Sequence, residues 1–237
     1  MSREAILQVR DLVKRFSGFP ALDGLSLAVG EGEVLGLVGP NGSGKTTAIN
    51  VISGLIRPDG GSVQVGGRSA SGLAAHQLAR LGVNRTYQVP RPFVGLTVRQ
   101  NVEVAAHYGG RGHAEADVDE VLAFVGLEGE ADRPAGSLNS AQQKMLDLAR
   151  ALAARPRLLL VDELGAGLGP ADLETVRARL AALAQRGVAL VVVEHLMNFL
   201  ASLTDRVVVM NAGRAIFEGD LTAAARDPQV VQVFLGG

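Results

Sequence analysis

Apolar residues form two kinds of pattern along the chain. Near the start, AILQVRDLVKRF and LDGLSLAV alternate apolar and polar residues, which predicts antiparallel strands at a sheet edge. Four later runs are almost continuously apolar, and this is typical of strands buried on both faces of a parallel sheet. These runs are VLGLVG at 34–39, LLLV at 158–161, ALVVV at 189–193 and RVVVM at 206–210.

Helical periodicity lies between the buried runs. TTAINVISGL follows the first run, and PADLETVRARLAALAQRG follows the second, with Pro170 suited to a first helical turn and Gly187 to a C-terminal stop. GRAIFEG at 213–219 predicts a last hairpin strand, and DPQVVQVFL predicts a closing helix. Alternating strands and helices predict an α/β fold with a parallel-sheet core and N-terminal antiparallel strands.

The stretch 89–155 breaks this alternation. It contains three helix-like segments, LTVRQNVEVAAH, ADVDEVLAFVG and SAQQKMLDLARAL, without a convincing strand, and GGRGHAE at 109–115 looks like a linker between two of them. The prediction is a single domain over 1–237, with a core of 1–88 and 156–237 and an inserted helical subdomain of 89–155.

Composition excludes several classes of function. The net charge is −1 and the 23 basic residues are dispersed among 24 acids, which argues against a nucleic-acid partner. Without cysteine there is neither a disulfide framework nor a thiolate metal site, and the four histidines lack ligand spacing. The apolar start is too short for a signal peptide, and no apolar run approaches the ~18 residues that span a bilayer, so we expect a protein that is soluble by itself.

The first buried strand leads into GPNGSGKTT, which matches G-x-x-x-x-G-K-[ST] from Gly39 to Thr46. Glycines let successive backbone amides approach phosphate oxygens, and the following helix adds partial positive charge at its N-terminus. Lys45 is expected to pair with β- and γ-phosphates, and the Thr46 hydroxyl to hold Mg²⁺. The motif predicts binding of a nucleoside triphosphate.

A second polar group follows the second buried strand. LLLVDEL places Asp162 and Glu163 at the carboxyl end of that strand, where open α/β sheets bind ligands. Because strand side chains alternate, one carboxylate is able to order the magnesium shell while the other faces the attacking water. A solvated acidic turn before a helix is the alternative for this stretch alone.

Three other polar positions allow a structural interpretation. His195 ends the strand VVVEH, and Gln88 in NRTYQVP reads as an ordinary loop amide. Ser140 with Gln143 in SLNSAQQKMLDL fits a capping box, which satisfies helix amides without a ligand. Lys144 is expected on the exposed side of the same helix.

In this order the motifs resemble the nucleotide-binding subunit of ABC (ATP-binding cassette) transporters over nearly the whole chain, a P-loop NTPase fold with a helical insertion. The resemblance implies that Phe16 stacks on adenine, Gln88 is the Q-loop residue and a metal contact, and Asp162 contacts the metal. It also implies that Glu163 is the catalytic carboxylate and His195 the switch histidine. It also implies ATP and Mg²⁺ at the whole phosphate loop: Gly39, Pro40, Asn41, Gly42, Ser43, Gly44, Lys45, Thr46 and Thr47. RTYQ, EHLM, AGLGP and the ending VFLGG look most like the branched-chain amino acid importer branch, although other importers and lipid or polysaccharide exporters have similar cassettes.

The resemblance also implies partners. The family has LSGGQ where this chain has LNSAQ, at a helix start that closes on ATP held by a second cassette, so the residues expected there are Asn139, Ser140, Ala141 and Gln142. Permease subunits and, indirectly, an extracytoplasmic solute-binding protein complete such a transporter, on the cytoplasmic face of the plasma membrane. VPRPFVGLTVRQN is expected near the permease through Phe93 and Leu96, and packing within the helical lobe explains Leu96 equally well.

The chain departs from the family at two places. In LNSAQ the Cβ atoms of Ser140 and Ala141 occupy space next to the ligand, so we expect slow hydrolysis at the site that this segment completes. Leu164 replaces the usual proline after Glu163, which loosens the restriction on that residue. A regulatory cassette with weak hydrolysis is therefore an alternative.

Two further classes are weaker alternatives. ABC ATPases that act on nucleic acid or ribosomes usually carry coiled-coil insertions, tandem cassettes or basic extensions, and none is seen in this sequence. A GTPase needs Asn-Lys-x-Asp, which the lysines at 14, 45 and 144 do not form.

Overall fold

The computed structural model describes residues 5–109 and 117–235. The strands are β1 (Ala5–Phe16), β2 (Phe19–Gly30), β3 (Val34–Val38), β4 (Gly60–Val65), β5 (Arg68–Ser69), β6 (Val83–Arg85), β7 (Leu158–Asp162), β8 (Ala189–Val193), β9 (Arg206–Asn211) and β10 (Arg214–Gly219). The helices are α1 (Lys45–Ile52), α2 (Ala75–Arg80), α3 (Val98–Gly109), α4 (Val118–Val125), α5 (Ser140–Ala153), α6 (Pro170–Gln185), α7 (Met197–Ala201), α8 (Leu221–Ala224) and α9 (Pro228–Leu235).

Six strands form the central sheet in the order β10-β9-β3-β8-β7-β6. Strands β9, β3, β8, β7 and β6 run parallel, and β10 pairs antiparallel with β9. The four predicted buried runs are β3, β7, β8 and β9, and every residue of β3, β7 and β8 is buried. The prediction of a parallel α/β core is therefore confirmed.

Alternate residues of the central sheet enter two separate cores. In β7, Leu159 and Val161 pack with the helices α3 to α6, whereas Leu158 and Leu160 pack with α1 and the N-terminal strands. This division follows from the two-residue period of a strand. Helices cover one face of the sheet, and α1 with a second sheet covers the other. Because β9, β3, β8, β7 and β6 run parallel, the carboxyl ends of these five strands meet at one edge.

The second sheet has the order β2-β1-β4-β5, with antiparallel pairing throughout. The two alternating N-terminal segments are β1 and β2, and their antiparallel pairing is confirmed. The expected place at a sheet edge holds for β2 but not for β1, because β4 pairs with the other side of β1. The sequence did not indicate β4, β5, α2 or β6, which follow one another between α1 and Gln88.

Residues 89–155 contain α3, α4 and α5, which pack on one another. The pairing of Thr97 with Pro134 is an isolated bridge, and no strand lies between residues 89 and 155 where the structure describes them. The linker predicted at 109–115 lies outside the described residues except for Gly109. In the described parts of the chain, no helix combines the length and apolar character needed to cross a membrane.

Candidate functional site

The glycine-rich loop lies between the end of β3 and the start of α1. A Cβ atom on Gly39 would lie 2.3 Å from the carbonyl oxygen of Met210, and one on Gly44 would lie 2.5 Å from that of Ala21. Both positions have positive φ, 149° and 106°, which side chains disfavour. Among the described residues no side chain caps α1, so the amides at its N-terminus are available to an anion.

Lys45 opens α1 and lies under this loop. Its buried ammonium donates to the carbonyl oxygens of Gly39 at 2.7 Å and Pro40 at 2.9 Å. Burial lowers the pKa of Lys45, while the charges of Glu163 and Asp162 raise it. The cation therefore lies within electrostatic reach of both predicted carboxylates. Thr46, the next residue, is exposed.

Asp162 ends β7 and is buried, with 2% of its surface exposed. Its Oδ2 atom accepts a hydrogen bond from Arg85 at 3.1 Å. Arg85 also donates to Asn50 on α1 at 2.7 Å and to Ser53 at 3.2 Å. Burial raises the pKa of Asp162 and the Arg85 charge opposes this shift. Arg85 thus joins the predicted metal-binding carboxylate to the helix that follows the phosphate loop.

Two predicted residues hold the carboxylate of Glu163. Gln88 donates from Nε2 to Oε2 at 2.6 Å, and Nε2 of His195 lies 2.9 Å from Oε1. The three side chains come from the segment after β6, the end of β7 and the end of β8, which are neighbouring strands of the sheet. The structure therefore brings Gln88, Glu163 and His195 together at the edge that also carries Lys45.

The backbone of Glu163 has φ of +49°, in the left-handed region that non-glycine residues rarely adopt. The following Leu164 is buried, with 1% exposed. A proline at 164 would favour an extended conformation for Glu163, so leucine is compatible with the observed one. The carboxylate is nevertheless held by two hydrogen bonds.

The prediction that Lys144 is exposed is wrong. Only 6% of its surface is accessible, and Nζ donates to the carbonyl oxygens of Glu163 at 3.3 Å, Leu164 at 3.0 Å and Ala166. Lys144 lies four residues before Leu148, so both belong to the same buried side of α5. Burial lowers its pKa, and Glu194 and Glu163 raise it.

The capping prediction is shifted by one residue. Asn139, not Ser140, is the N-cap of α5: its Oδ1 accepts from the amide of Gln142 at 2.9 Å, and Oε1 of Gln142 accepts from the Asn139 amide at 3.1 Å. Nε2 of Gln142 donates to Glu130 at 3.1 Å. Asn139 and Ser140 are exposed and Ala141 is half-buried. The Asn139 cap satisfies helix amides within the chain and leaves the Asn139 Nδ2 donor outside that cap.

Phe16 lies at the end of β1 and pairs with Phe19 at the start of β2. Its ring is 46% exposed, and the Lys14 ammonium lies 5.6 Å from the ring centroid. The carbonyl oxygen of Ala21, two residues after Phe19, lies 2.5 Å from the position that a Cβ atom on Gly44 of the phosphate loop would take. The structure therefore places the exposed ring on the hairpin next to this loop.

The predicted permease segment contains exposed apolar side chains. Phe93 is 47% exposed, and the Arg150 guanidinium carbon lies 5.2 Å from its ring centroid. Buried Asn101 shapes the loop, since it accepts from the Phe93 amide and donates to the carbonyls of Phe93 and Thr97. Leu96 is half-buried. Phe93, Tyr87 and Tyr108 border a 340 Å³ cavity between α2, α3 and α5.

Sequence reasoning missed Arg85, Lys144 and Glu194 as parts of this site. Arg85 was noted only as part of the RTYQ stretch that resembles the importer branch. Its pairing with Asp162 was not expected, because the two residues are 77 positions apart in sequence. For Lys144 the signal was available in its four-residue spacing to Leu148. Glu194 accepts from the Gly165 amide at 2.6 Å and is 2% exposed, and its place in the apolar strand end gave no specific signal.

Comparison with known proteins decides the family. A family model described as "ABC transporter" matches residues 22–166. The chain belongs to this family. It is 35% identical to the high-affinity branched-chain amino acid transport ATP-binding protein BraF of Pseudomonas aeruginosa, covering 100% of this chain and 99% of that protein. It is 36% identical to the probable branched-chain amino acid transport ATP-binding protein LivG of Archaeoglobus fulgidus, covering 98% and 95%.

Other relatives and solved structures widen the comparison. The methionine import ATP-binding protein MetN of Mesorhizobium japonicum is 38% identical, covering 94% of this chain and 63% of that protein. A nucleotide-free ATP-binding cassette from an ABC transporter superposes with a TM-score of 0.90 at 30% identity, covering 99% and 100%. A dimeric post-hydrolysis cassette bound to ADP and Pi has a TM-score of 0.81 at 26% identity, covering 91% and 98%. The chain is thus an ATP-binding, ATP-hydrolysing subunit of an ABC transporter.

Proposed function

We propose that the chain supplies the energy for import of branched-chain amino acids, by hydrolysing ATP between two cassettes that face each other beneath a permease. The observation that carries the proposal is the Glu163 carboxylate, which Gln88 and His195 hold beside the phosphate loop. The choice of substrate rests on the full-length similarity to BraF and LivG. Similarity to MetN, a methionine importer by name, leaves methionine as the substrate to test against.

Each site residue has a role in this proposal. The loop amides and Lys45 bind the phosphates, and the exposed Phe16 ring stacks on adenine. Glu163 accepts a proton from the attacking water, and the His195 contact orients that carboxylate. The Asn139 Nδ2 group, with Ser140, Ala141 and Gln142 beside it, faces the nucleotide of the second cassette.

The residues also fit a magnesium ion. Thr46 offers a hydroxyl, Asp162 a carboxylate and Gln88 the amide oxygen that does not contact Glu163, and Mg²⁺ prefers such oxygen ligands with phosphates and water completing its shell. The described residues contain no cluster of three or more His, Cys, Asp or Glu side chains that could hold a metal ion. When bound, the ion neutralises phosphate charge.

Transport requires contact with partners. The exposed rings of Phe93, Tyr87 and Tyr108 around the cavity support docking of a permease segment there, on the cytoplasmic side of the plasma membrane. The extracytoplasmic solute-binding protein acts through the permease. ATP binding draws two cassettes together, and hydrolysis lets them separate.

The test uses cells that express the complete transporter with the wild-type chain or with Lys45→Ala. We expect uptake of labelled leucine, isoleucine and valine with the wild-type chain, and loss of both uptake and nucleotide binding with Lys45→Ala. Uptake of methionine in place of these three would overturn the substrate assignment. Unchanged nucleotide affinity and transport in Lys45→Ala would overturn the phosphate-binding role.

A further inference from the structure

The loop that carries Glu163 is held by a buried cation from another part of the chain. Lys144 donates to three of the four carbonyl groups between Glu163 and Ala166. An ammonium group has three N–H donors, so all of them have an acceptor in this one loop. The contact is specific to the loop backbone, because each acceptor is a main-chain oxygen.

Glu194 also holds this loop. This carboxylate follows β8, is 2% exposed and accepts from the Gly165 amide at 2.6 Å. Its neighbour in sequence is His195, which contacts the Glu163 carboxylate. Lys144 and Glu194 therefore fix the backbone on both sides of Gly165.

The conformation of Glu163 makes such support necessary. A non-glycine residue at φ of +49° is strained, and it persists where the surroundings enforce it. Lys144 binds the carbonyl of Glu163 itself, so loss of the ammonium removes a contact at the strained residue.

Lys144 also belongs to the helix that begins within LNSAQ at residues 138–142, which stands in place of the family's LSGGQ and is called the signature segment below. It lies five residues after the N-cap Asn139, on the first turns of the continuous helix α5. One helix therefore links the residues at its start to the carbonyls of Glu163, Leu164 and Ala166 through Lys144.

We propose that Lys144 is a positioning residue for Glu163, and that it couples the start of α5 to the placement of the Glu163 carboxylate between Gln88 and His195. The inference rests on the proposed function, since it assumes that Glu163 acts on ATP. According to this inference, a contact made by the signature segment of one cassette changes the position of Glu163 in the same cassette through Lys144.

The test compares Lys144→Met and Lys144→Gln with a control variant that also loses a cation bound to the backbone. Arg206→Met removes another partly buried cation that binds a main-chain carbonyl, that of Ala28, and the carboxylate of Glu33. Arg206 begins β9, at the sheet edge opposite Glu163. The Tm of each full-length variant is measured first. Steady-state ATPase kinetics and ATP affinity by fluorescence titration are then measured for each variant at the same interval below its own Tm.

We expect both Lys144 variants to lower kcat by about tenfold or more while ATP affinity stays within about twofold, because a misplaced carboxylate affects the chemical step. Arg206→Met is expected to lower the Tm and leave kcat within about twofold of wild type. A kcat for Lys144→Met equal to that of Arg206→Met would overturn the inference; where Lys144→Met does not fold, Lys144→Gln decides by the same comparison. Absence of ATPase activity in the wild-type chain would overturn the proposed function as well, so the two failures are distinguishable.

Discussion

At Glu163, two different side chains contact the two carboxylate oxygens. Gln88 donates to one oxygen and His195 contacts the other. Neutral glutamine at 163 keeps the size of the side chain and one acceptor, but it accepts no proton from water.

For Glu163→Gln we therefore expect a fall in kcat of about 10²-fold or more with nucleotide binding retained. Phosphate release from the purified chain and titration with labelled ATP measure the two quantities. The control is Glu174→Gln on α6, which removes an exposed carboxylate paired with Arg177 and is expected to leave kcat unchanged. Wild-type turnover in Glu163→Gln would show that another group accepts the proton.

Asp147 on α5 gives the site region a pH-dependent stability. Burial raises its pKa from 3.8 to about 6, against the hydrogen bond from the Tyr87 amide and the charges of Arg150 and Arg85. The folded chain therefore binds more protons than the unfolded chain between about pH 4 and pH 6, and stability from this group falls as pH rises through that window. The shift corresponds to a contribution on the order of 3 kcal/mol.

Asp147→Asn is expected to flatten this dependence, since asparagine keeps an acceptor for the Tyr87 amide and carries no charge at any pH. Urea unfolding at pH 4.5 and pH 6.5 measures the free energy of unfolding for both chains. The decrease in the free energy of unfolding from pH 4.5 to pH 6.5 should be smaller in Asp147→Asn than in wild type by up to about 2 kcal/mol. Asp132→Asn, at an exposed position in the same lobe, should leave the wild-type decrease unchanged; an equal decrease in Asp147→Asn would contradict the assignment to Asp147.

At the scale of elements, the start of α5 combines a stable helix end with a poorly suited ligand contact. Asn139 and Gln142 form a reciprocal cap, whereas Ser140 and Ala141 carry Cβ atoms where the family motif has glycine. The same residues that favour the helix are thus expected to slow hydrolysis in the site that they complete.

Changing residues 139–141 to Ser-Gly-Gly should separate these effects. Serine remains a good N-cap, and each glycine lowers helix stability by about 0.5–1 kcal/mol, so the Tm should fall. ATP turnover of the assembled transporter should rise by about tenfold or more, because backbone donors approach the γ-phosphate more closely. Asn139→Ser alone keeps the cap and both Cβ atoms and should leave turnover unchanged; a folded triple variant without increased turnover would remove the hypothesis.

Elements with a strong apolar signal were predictable from the sequence, and short or half-exposed ones were not. Strands β3, β7 and β8 are buried at every position, so their continuous apolar sequence is enough to predict them. Strand β5 has two exposed residues and α2 buries only Leu78, so both depend on neighbours that the local sequence does not specify. The phosphate loop and the end of β7 were predictable because their chemistry is local, whereas the pairing of Arg85 with Asp162 and the contacts of Lys144 arise from tertiary packing.

At the scale of the whole molecule, the proposal divides each hydrolytic site between two chains. The phosphate loop, Glu163 and His195 of one chain lie at the carboxyl edge of its sheet, and the residues expected to complete the site lie at the start of α5 in the other. A chain with a defective phosphate loop and a chain with a defective signature would then complement each other, because one of the two sites in a mixed pair has both intact parts.

Mixing Lys45→Ala with Ser140→Trp tests this division directly. Each variant alone should be inactive: the first loses its phosphate ligand, and the second places a bulky exposed side chain where the opposing nucleotide should lie. In an equal mixture half of the pairs are mixed and each has one intact site, so activity should reach about one quarter of wild type. A mixture as inactive as its components would show that a site is complete within one chain or that identical chains do not pair. Ser202 is exposed on the segment after α7, so Ser202→Trp mixed with Lys45→Ala controls for the added indole. This mixture should be as active as the wild-type chain mixed with Lys45→Ala.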